Sequence, residues 1–169
     1  MMDDIDIRRL SPADASIYRS IRLESLSLSP EAFGSAFESE VVRPLASFAE
    51  RLERDDVFCA FHREEPVGIA GFFVQDGPKN AHKGTLWGVY VRPNARRIGI
   101  GRGLTETVID LARTRVELLH LSVTTTNVHA LRLYQDLGFV EYGLERDARK
   151  VNGRYYDDVL MALDLRPQG

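Results

Sequence analysis

Hydrophobic and polar residues alternate with more than one period along the chain, and the period changes several times. The segment from Ile5 to Leu10 alternates apolar and polar side chains, which predicts a half-buried strand. Ser11, Pro12 and Asp14 then supply a cap, a first-turn proline and an acidic residue three positions after the cap. A helix is therefore expected to begin there and to end at Ser29-Pro30.

A second helix and three strands follow. Leu45, Phe48 and Leu52 share one side of a predicted helix over 45–54, whereas 31–40 has no clean period and is expected to form a loop with at most a short helix. Three runs rich in β-forming residues then predict an antiparallel meander, over 57–63, 68–76 and 85–92. Gly88, inside the third run, predicts a bulge or the close approach of another molecule.

The second half of the chain returns to helical spacing. Leu104, Val108 and Leu111 predict a helix, followed by a strand over 118–126 and a helix that Gly138 ends. Asn152-Gly153 predicts the turn of a closing hairpin. The fold class is therefore α+β, a single domain over 1–169 with a mixed, mostly antiparallel sheet of about seven strands flanked by about four helices.

Composition and charge limit the function. The 169 residues are 44% hydrophobic and have a net charge of −3, which is typical of a soluble globular protein and offers no overall attraction to nucleic acid. The one cysteine, Cys59, is expected to be buried in a strand, which fits a reducing compartment. An acidic N-terminus and no long apolar run predict a cytoplasmic protein with no membrane segment.

A glycine-rich loop precedes the third predicted helix and is a candidate phosphate site. Its pattern is Arg96-x-x-Gly99-x-Gly101, with Arg97 and Arg102 nearby to supply charge. A dinucleotide fingerprint would need glycine at the position of Leu104, and the P-loop would need Gly-Lys-Ser/Thr, which does not occur. The dinucleotide site of an NAD-binding oxidoreductase stays a weak alternative, and the P-loop is excluded.

The remaining pattern resembles the acetyl-CoA loop of the GNAT superfamily of N-acetyltransferases, which is Arg/Gln-x-x-Gly-x-Gly/Ala. A second stretch, Asn127-x-x-Ala130-x-x-x-Tyr134-x-x-x-Gly138-Phe139, is also typical of that superfamily. The resemblance implies transfer of an acetyl group from acetyl-CoA to a primary amine, with no metal. It implies these cofactor-binding residues: Val89, Tyr90, Val91, Arg96, Arg97, Ile98, Gly99, Ile100, Gly101, Arg102, Asn127, Ala130 and Tyr134.

The same resemblance makes Tyr134 the candidate acid for the leaving thiolate, because a phenol is protonated at neutral pH. The alternative is that Tyr134 packs in a helical apolar face. The general base stays open, because the strand before the loop has no Asp or Glu. Its candidates are Glu24, Glu31, His82 and His120.

The sequence also leaves the identity of the acetyl acceptor open. Acidic residues in the first helices and in "YYDD" (155–158) favour a cationic amine, either a small molecule or a protein amino group, although ordinary solvated charges would give the same pattern. A non-catalytic acyl-CoA sensor of the same fold is the alternative function. Single-domain enzymes of this kind are expected to be monomers or homodimers.

Overall fold

The structure is a computed structural model, which describes residues 4–168; Met1, Met2, Asp3 and Gly169, which belong to the predicted single domain, lie outside the described residues. Five α-helices are present, namely α1 (Ala15–Leu28), α2 (Phe37–Glu40), α3 (Leu45–Arg54), α4 (Ile100–Arg113) and α5 (Val128–Asp136). Short 3₁₀ turns lie at Pro12–Asp14, Pro30–Ala32 and Pro93–Ala95.

One seven-stranded sheet has the strand order β1-β2-β3-β4-β5-β7-β6. Its strands are β1 (Ile5–Arg9), β2 (Asp56–His62), β3 (Glu65–Val74), β4 (Lys83–Val91), β5 (Leu118–Thr124), β6 (Val140–Val151) and β7 (Arg154–Asp164). The β6–β7 turn has positive φ at both Asn152 and Gly153, as the Asn-Gly signal predicts.

Two hydrophobic clusters lie against the sheet. The first contains Tyr18, Phe48 and Leu52, from the helices α1 and α3. The second contains Leu104 and Val108 of α4. The sheet is therefore covered by the N-terminal helices in one cluster and by α4 in the other, as expected for an α+β protein.

The predicted fold class is confirmed, with two differences in detail. The segment 31–40, predicted as a loop, contains a 3₁₀ turn and the single-turn α2, which is too short to show a helical period in the sequence. Helix α4 begins at Ile100, four residues before the periodic apolar positions, because Gly99 takes a left-handed conformation (φ 89°) that starts the helix. Within residues 4–168, no helix is long and apolar enough to cross a membrane.

Candidate functional site

The strands β4 and β5 pair for only a short distance and then separate. They are parallel and pair only from Lys83–Leu118 to Thr85–His120. Beyond that point β4 continues beside β3, and β5 continues beside β7. The separation leaves the facing edges of β4 and β5 free for a ligand.

A bulge shapes the free edge of β4. Ile69 of β3 pairs with Tyr90, and Gly71 pairs with Trp87, so that Gly88 and Val89 together oppose one residue. Gly88 has φ 64°, a conformation that other residues rarely adopt. The bulge predicted from a glycine inside a strand is thus present at the point where β4 leaves β5.

A cavity of about 610 Å³ occupies the gap between the two strands. It extends from the α4 N-terminus to the segment after α1. Twelve of the thirteen predicted cofactor-binding residues line it, and the exception is the exposed Ile98. The lining also includes Ser29, Glu31, Ala32, Phe33, Trp87, Gly88, Ser122, Thr124, Thr126 and His129.

Backbone amides of the glycine-rich loop point to an anion site at one end of the cavity. Arg97 (φ 69°) and Gly99 (φ 89°) both have left-handed backbones. The Gly103 N–H donates to the Gly99 carbonyl at 2.9 Å, so no backbone acceptor within residues 4–168 is found for the amides of 97–102. Free amides at a helix N-terminus are the arrangement that binds phosphate.

The three arginines of the loop have different contacts. Nε of Arg96 donates to the Val91 carbonyl at 2.8 Å and so ties the loop to β4. Arg102 forms an exposed ion pair with Glu106 (3.0 Å) one turn along α4. Arg97 lines the cavity. One arginine therefore holds the loop in place, while the other two lie where they can supply charge to an anion.

Helix α5 forms the next wall of the cavity. Asn127 is its N-cap and accepts the Ala130 N–H at 3.3 Å, as predicted. Tyr134 is 6% exposed, and its ring packs edge-on against Phe139 with centres 5.7 Å apart. Burial raises the pKa of Tyr134 above its ordinary value, so the phenol keeps its proton throughout the neutral range.

The base candidates lie in different places. Glu31 lines the cavity, and its carbonyl accepts hydrogen bonds from Thr124 (3.0 Å) and Arg149 (3.1 Å). The Glu24 carboxylate, by contrast, accepts from the Tyr90 hydroxyl at 2.8 Å and from Arg92 at 3.2 Å. Burial, followed by this contact with Glu24, raises the pKa of Tyr90 to about 12. Glu24 thus links α1 to β4, whereas Glu31 is among the residues that line the cavity.

The two histidines among the base candidates lie away from the cavity, whereas His129 lines it. His82 is exposed just before β4, and its carbonyl accepts the amides of Glu117 and Leu118. The His120 ring contacts the Tyr142 hydroxyl at 3.3 Å, and burial, then Lys83 and His82, lower the pKa of His120. Neither histidine is among the residues that line the cavity, so the placement favours Glu31 over both.

Comparison with known proteins identifies the family of the chain. The model of the acetyltransferase (GNAT) family matches residues 22–139. The chain belongs to this family. A [ribosomal protein bS18]-alanine N-acetyltransferase of Salmonella typhimurium is 38% identical over 82 residues, which are 48% of this chain and 55% of that protein. The chain thus spans about half the length of the curated relatives that it matches first.

Solved structures support the GNAT fold over nearly the whole chain. A GNAT-family acetyltransferase of Streptococcus pneumoniae superposes with a TM-score of 0.85, at 23% identity and with 95% of this chain and 99% of that chain covered. A structure from Salmonella typhimurium, described with its cofactor acetyl-CoA, has a TM-score of 0.80 at 21% identity, with 98% and 96% covered. Similarity at these identities establishes the fold alone.

In this GNAT chain, three acidic residues of the first helices and of the closing hairpin, Glu24, Glu40 and Asp158, are paired with arginine. Asp158, on β7, is bound by both terminal nitrogens of Arg149 at 2.6 and 2.7 Å. Glu40 is 3% exposed and contacts Arg22 and Arg51, each at 3.1 Å. These acids are therefore engaged inside the protein and are not free for a cationic acceptor.

Several lining residues of the GNAT site were not predicted from the sequence. Phe33 lies in the segment without a clear period, and Trp87 lies on β4 beside the bulge. Arg22 lies beside both, with its guanidinium carbon 5.7 Å and 5.5 Å from the two ring centres. Its position in the sequence, four residues after Tyr18 on the buried face of α1, was the available signal.

Proposed function

We propose that this GNAT protein transfers the acetyl group of acetyl-CoA to a primary amine by direct attack of the amine on the thioester. The observation that supports this most is the cavity between β4 and β5, which joins the free amides of 97–102 to Tyr134 and Glu31. Bound acetyl-CoA would supply an activated acyl carbon and a thiol leaving group. The amides of 97–102 suit its pyrophosphate, since Gly99 lets the backbone approach closely.

The free edge of β4 is proposed to hold the pantetheine arm and the thioester oxygen. Val89, Tyr90 and Val91 lie past the point where β4 leaves β5, so this edge can pair with amides of the ligand as it would with a peptide. One N–H donor directed at an oxygen that becomes negative is worth about 3 kcal/mol in other enzymes. The Gly88 bulge therefore has a proposed role in directing such a donor.

The chain's own groups are proposed to move two protons. As the C–N bond forms and the C–S bond breaks, the Tyr134 hydroxyl donates its proton to the departing sulfur. The amine proton passes to the Glu31 carboxylate, directly or through water. We also propose that the protein is located in the cytoplasm. Its buried free Cys59 is compatible with a reducing compartment. That the protein is a monomer or a homodimer stays a prediction.

The acid role of Tyr134 is tested by Tyr134→Phe. We expect turnover to fall about a hundredfold, since positioned acids contribute at least that much, while acetyl-CoA affinity stays nearly the same. Burial raises the pKa of Tyr134, so the parent enzyme should lose no rate through its deprotonation between about pH 7 and 9. Release of CoA thiol measures turnover, and calorimetry measures affinity.

Tyr142→Phe is the matched control, because Tyr142 is exposed on β6 and is not among the residues that line the cavity. An unchanged rate in Tyr134→Phe would assign thiolate protonation to another group. Binding of acetyl-CoA without CoA release from any amine of a broad panel would instead support the non-catalytic sensor.

A further inference from the structure

Two arginines, the buried Arg22 and the partly buried Arg51, share a single carboxylate beside the α1 end of the cavity. Oε1 of Glu40 accepts from Nε of Arg22 (3.3 Å) and Nη1 of Arg51 (3.1 Å), and Oε2 accepts from Nη2 of Arg22 (3.1 Å). Arg51 also donates to the Tyr18 hydroxyl at 3.2 Å. Burial alone would raise the pKa of Glu40, but Arg22 and Arg51 outweigh it and hold that pKa below its usual value.

The cluster formed by Arg22, Glu40 and Arg51 therefore has one positive charge in excess. Arg22 is 4% exposed and Glu40 is 3% exposed, whereas Arg51 is partly exposed, so solvent compensates the charge mainly on the side of Arg51 and little at Arg22. A buried charge is costly unless it is paired and hydrogen-bonded. An anion that reached this cluster would restore the balance.

Arg22 has one group left with which to meet such an anion. Its Nε and Nη2 atoms are used by Glu40, and within residues 4–168 no hydrogen bond of Nη1 is found. Nη1 lies 3.3 Å from the point that a Cβ atom on Gly88 would occupy. Gly88, Phe33 and Trp87, which surround this guanidinium, all line the cavity.

The Nη1 atom is also not fully enclosed. Among the described residues, the enclosed side-chain nitrogen and oxygen atoms without a hydrogen bond belong to Asp56, Trp87 and Arg149. Nη1 of Arg22 also lacks a hydrogen bond but is not one of these enclosed atoms, so part of its surface stays accessible. Arg22 itself does not line the cavity, but Gly88 and Trp87 beside it do, so a ligand that reaches these two residues comes close to Nη1. The N–H groups of Nη1 can donate charge-assisted hydrogen bonds to a carboxylate.

We propose that the acceptor is an amine with a carboxylate a few bonds away, as in a free amino acid, and that Nη1 of Arg22 binds this carboxylate. The inference rests on the proposed acetyl transfer and names the substrate class for the same cavity. Glu31 lies on the segment after α1 in that cavity, so the chain presents a negative and a positive group to a molecule that has both charges. Polyamines and peptide N-termini lack a carboxylate in this position.

The test compares matched acceptors on the full protein. Each common L-amino acid is assayed beside its α-amide and its decarboxylated amine, with spermidine and a short peptide as further acceptors. We expect kcat/KM to be at least about tenfold higher for the acid than for its amide, mainly through KM, since only the acid offers Nη1 a charged hydrogen-bond acceptor. Equal or better use of amides, spermidine or the peptide would overturn the proposal.

Two variants distinguish direct contact between Arg22 and the carboxylate from a general disturbance of the cluster. Arg22→Gln and Arg51→Gln each remove one positive charge and each leave Glu40 with one arginine, but only Arg22 lies against Gly88. We expect the acid-to-amide ratio of kcat/KM to fall about tenfold in Arg22→Gln and less than threefold in Arg51→Gln. Equal falls in both variants would contradict direct binding by Arg22.

The acceptor panel on the parent protein does not depend on how either variant folds. If no acceptor releases CoA, the proposed acetyl transfer itself fails. If CoA is released but the carboxylate makes no difference, only the acceptor class fails.

Discussion

The two ends of the cavity are built in different ways. At the cofactor end, formed by the loop 92–99 and the helices α4 and α5, the groups proposed to bind the ligand are backbone amides directed by neighbouring residues. At the acceptor end, formed by α1, the segment 29–40 and the β6–β7 hairpin, side-chain pairs join residues far apart in the sequence. Local sequence therefore determines the first end, and tertiary packing determines the second.

This difference has a functional consequence. A backbone site of the first kind tolerates changes in most side chains as long as its few special φ angles persist. At the acceptor end, each arginine holds an element in place. By pairing with an acid, it also makes that acid unavailable to a substrate. Changes there are expected to alter stability and acceptor choice together.

The largest expected effect comes from Arg149→Ala at the acceptor end. Arg149 binds Asp158, Thr124 and the Glu31 carbonyl, and the Arg149–Asp158 pair is mostly buried. Removing one member of a buried pair typically costs about 3–5 kcal/mol. Denaturant unfolding should show a loss of this size in the free energy of unfolding.

The control for Arg149→Ala is Arg166→Ala. The Arg166–Asp164 pair has the same 2.6 Å separation but is exposed to solvent, so its loss should change stability little. Equal losses in the two variants would mean that burial does not set the strength of these pairs, and that the acceptor end is not held by them.

The next effect in size distinguishes an acid that lines the cavity from one that is paired. Glu31→Gln should lower kcat/KM about a hundredfold if its carboxylate receives the amine proton. Glu24→Gln should change kcat/KM less than about fivefold, because Glu24 is engaged by Tyr90 and Arg92 and a partly exposed pair contributes at most about 1 kcal/mol. A larger loss in Glu24→Gln would reverse these assignments.

The cofactor end could be predicted from the sequence because its signals are local. The spacing of Gly99 and Gly101 and the separate motif around Tyr134 each lie within about a dozen residues, and the helix start, cap and bulge follow from such short stretches. Apolar spacing likewise predicted the longer helices. The strands were predicted by alternation in β1, by β-rich runs between turn residues and by the Asn-Gly turn of the closing hairpin. Only boundaries and the single-turn α2 differed.

The acceptor end could not be predicted in the same way. The sequence places Glu24, Glu40 and Asp158 among candidate substrate acids, but it does not indicate that arginines up to 68 positions away pair with them. Which charges stay free depends on packing between elements, and no short pattern encodes that. Arg22 lies four residues after Tyr18 on the buried face of α1, but this local signal does not show which acid pairs with it.

A third prediction returns to the cofactor end. Gly99→Ala places a side chain at φ 89°, which costs roughly 1–2 kcal/mol for an L-residue. The loop is expected to shift to relieve this strain and to turn its amides from the anion site, so acetyl-CoA affinity should fall about tenfold by calorimetry. Gly77→Ala, at φ 94° in an exposed loop, carries the same strain and should leave the affinity unchanged; a loss of affinity there would point to general destabilisation.

The smallest expected effect is that of Gly101→Ala, in the same loop motif. Gly101 lies inside α4, and an added Cβ would be 3.7 Å from Leu133 and from Val91, which is ordinary contact. Alanine also favours a helix by about 0.5–1 kcal/mol over glycine. Thermal stability should therefore stay or rise, and acetyl-CoA affinity should change less than about twofold. A large loss of affinity would show that the space beside Gly101, rather than the direction of the amides that Gly99 sets, limits cofactor binding at this end.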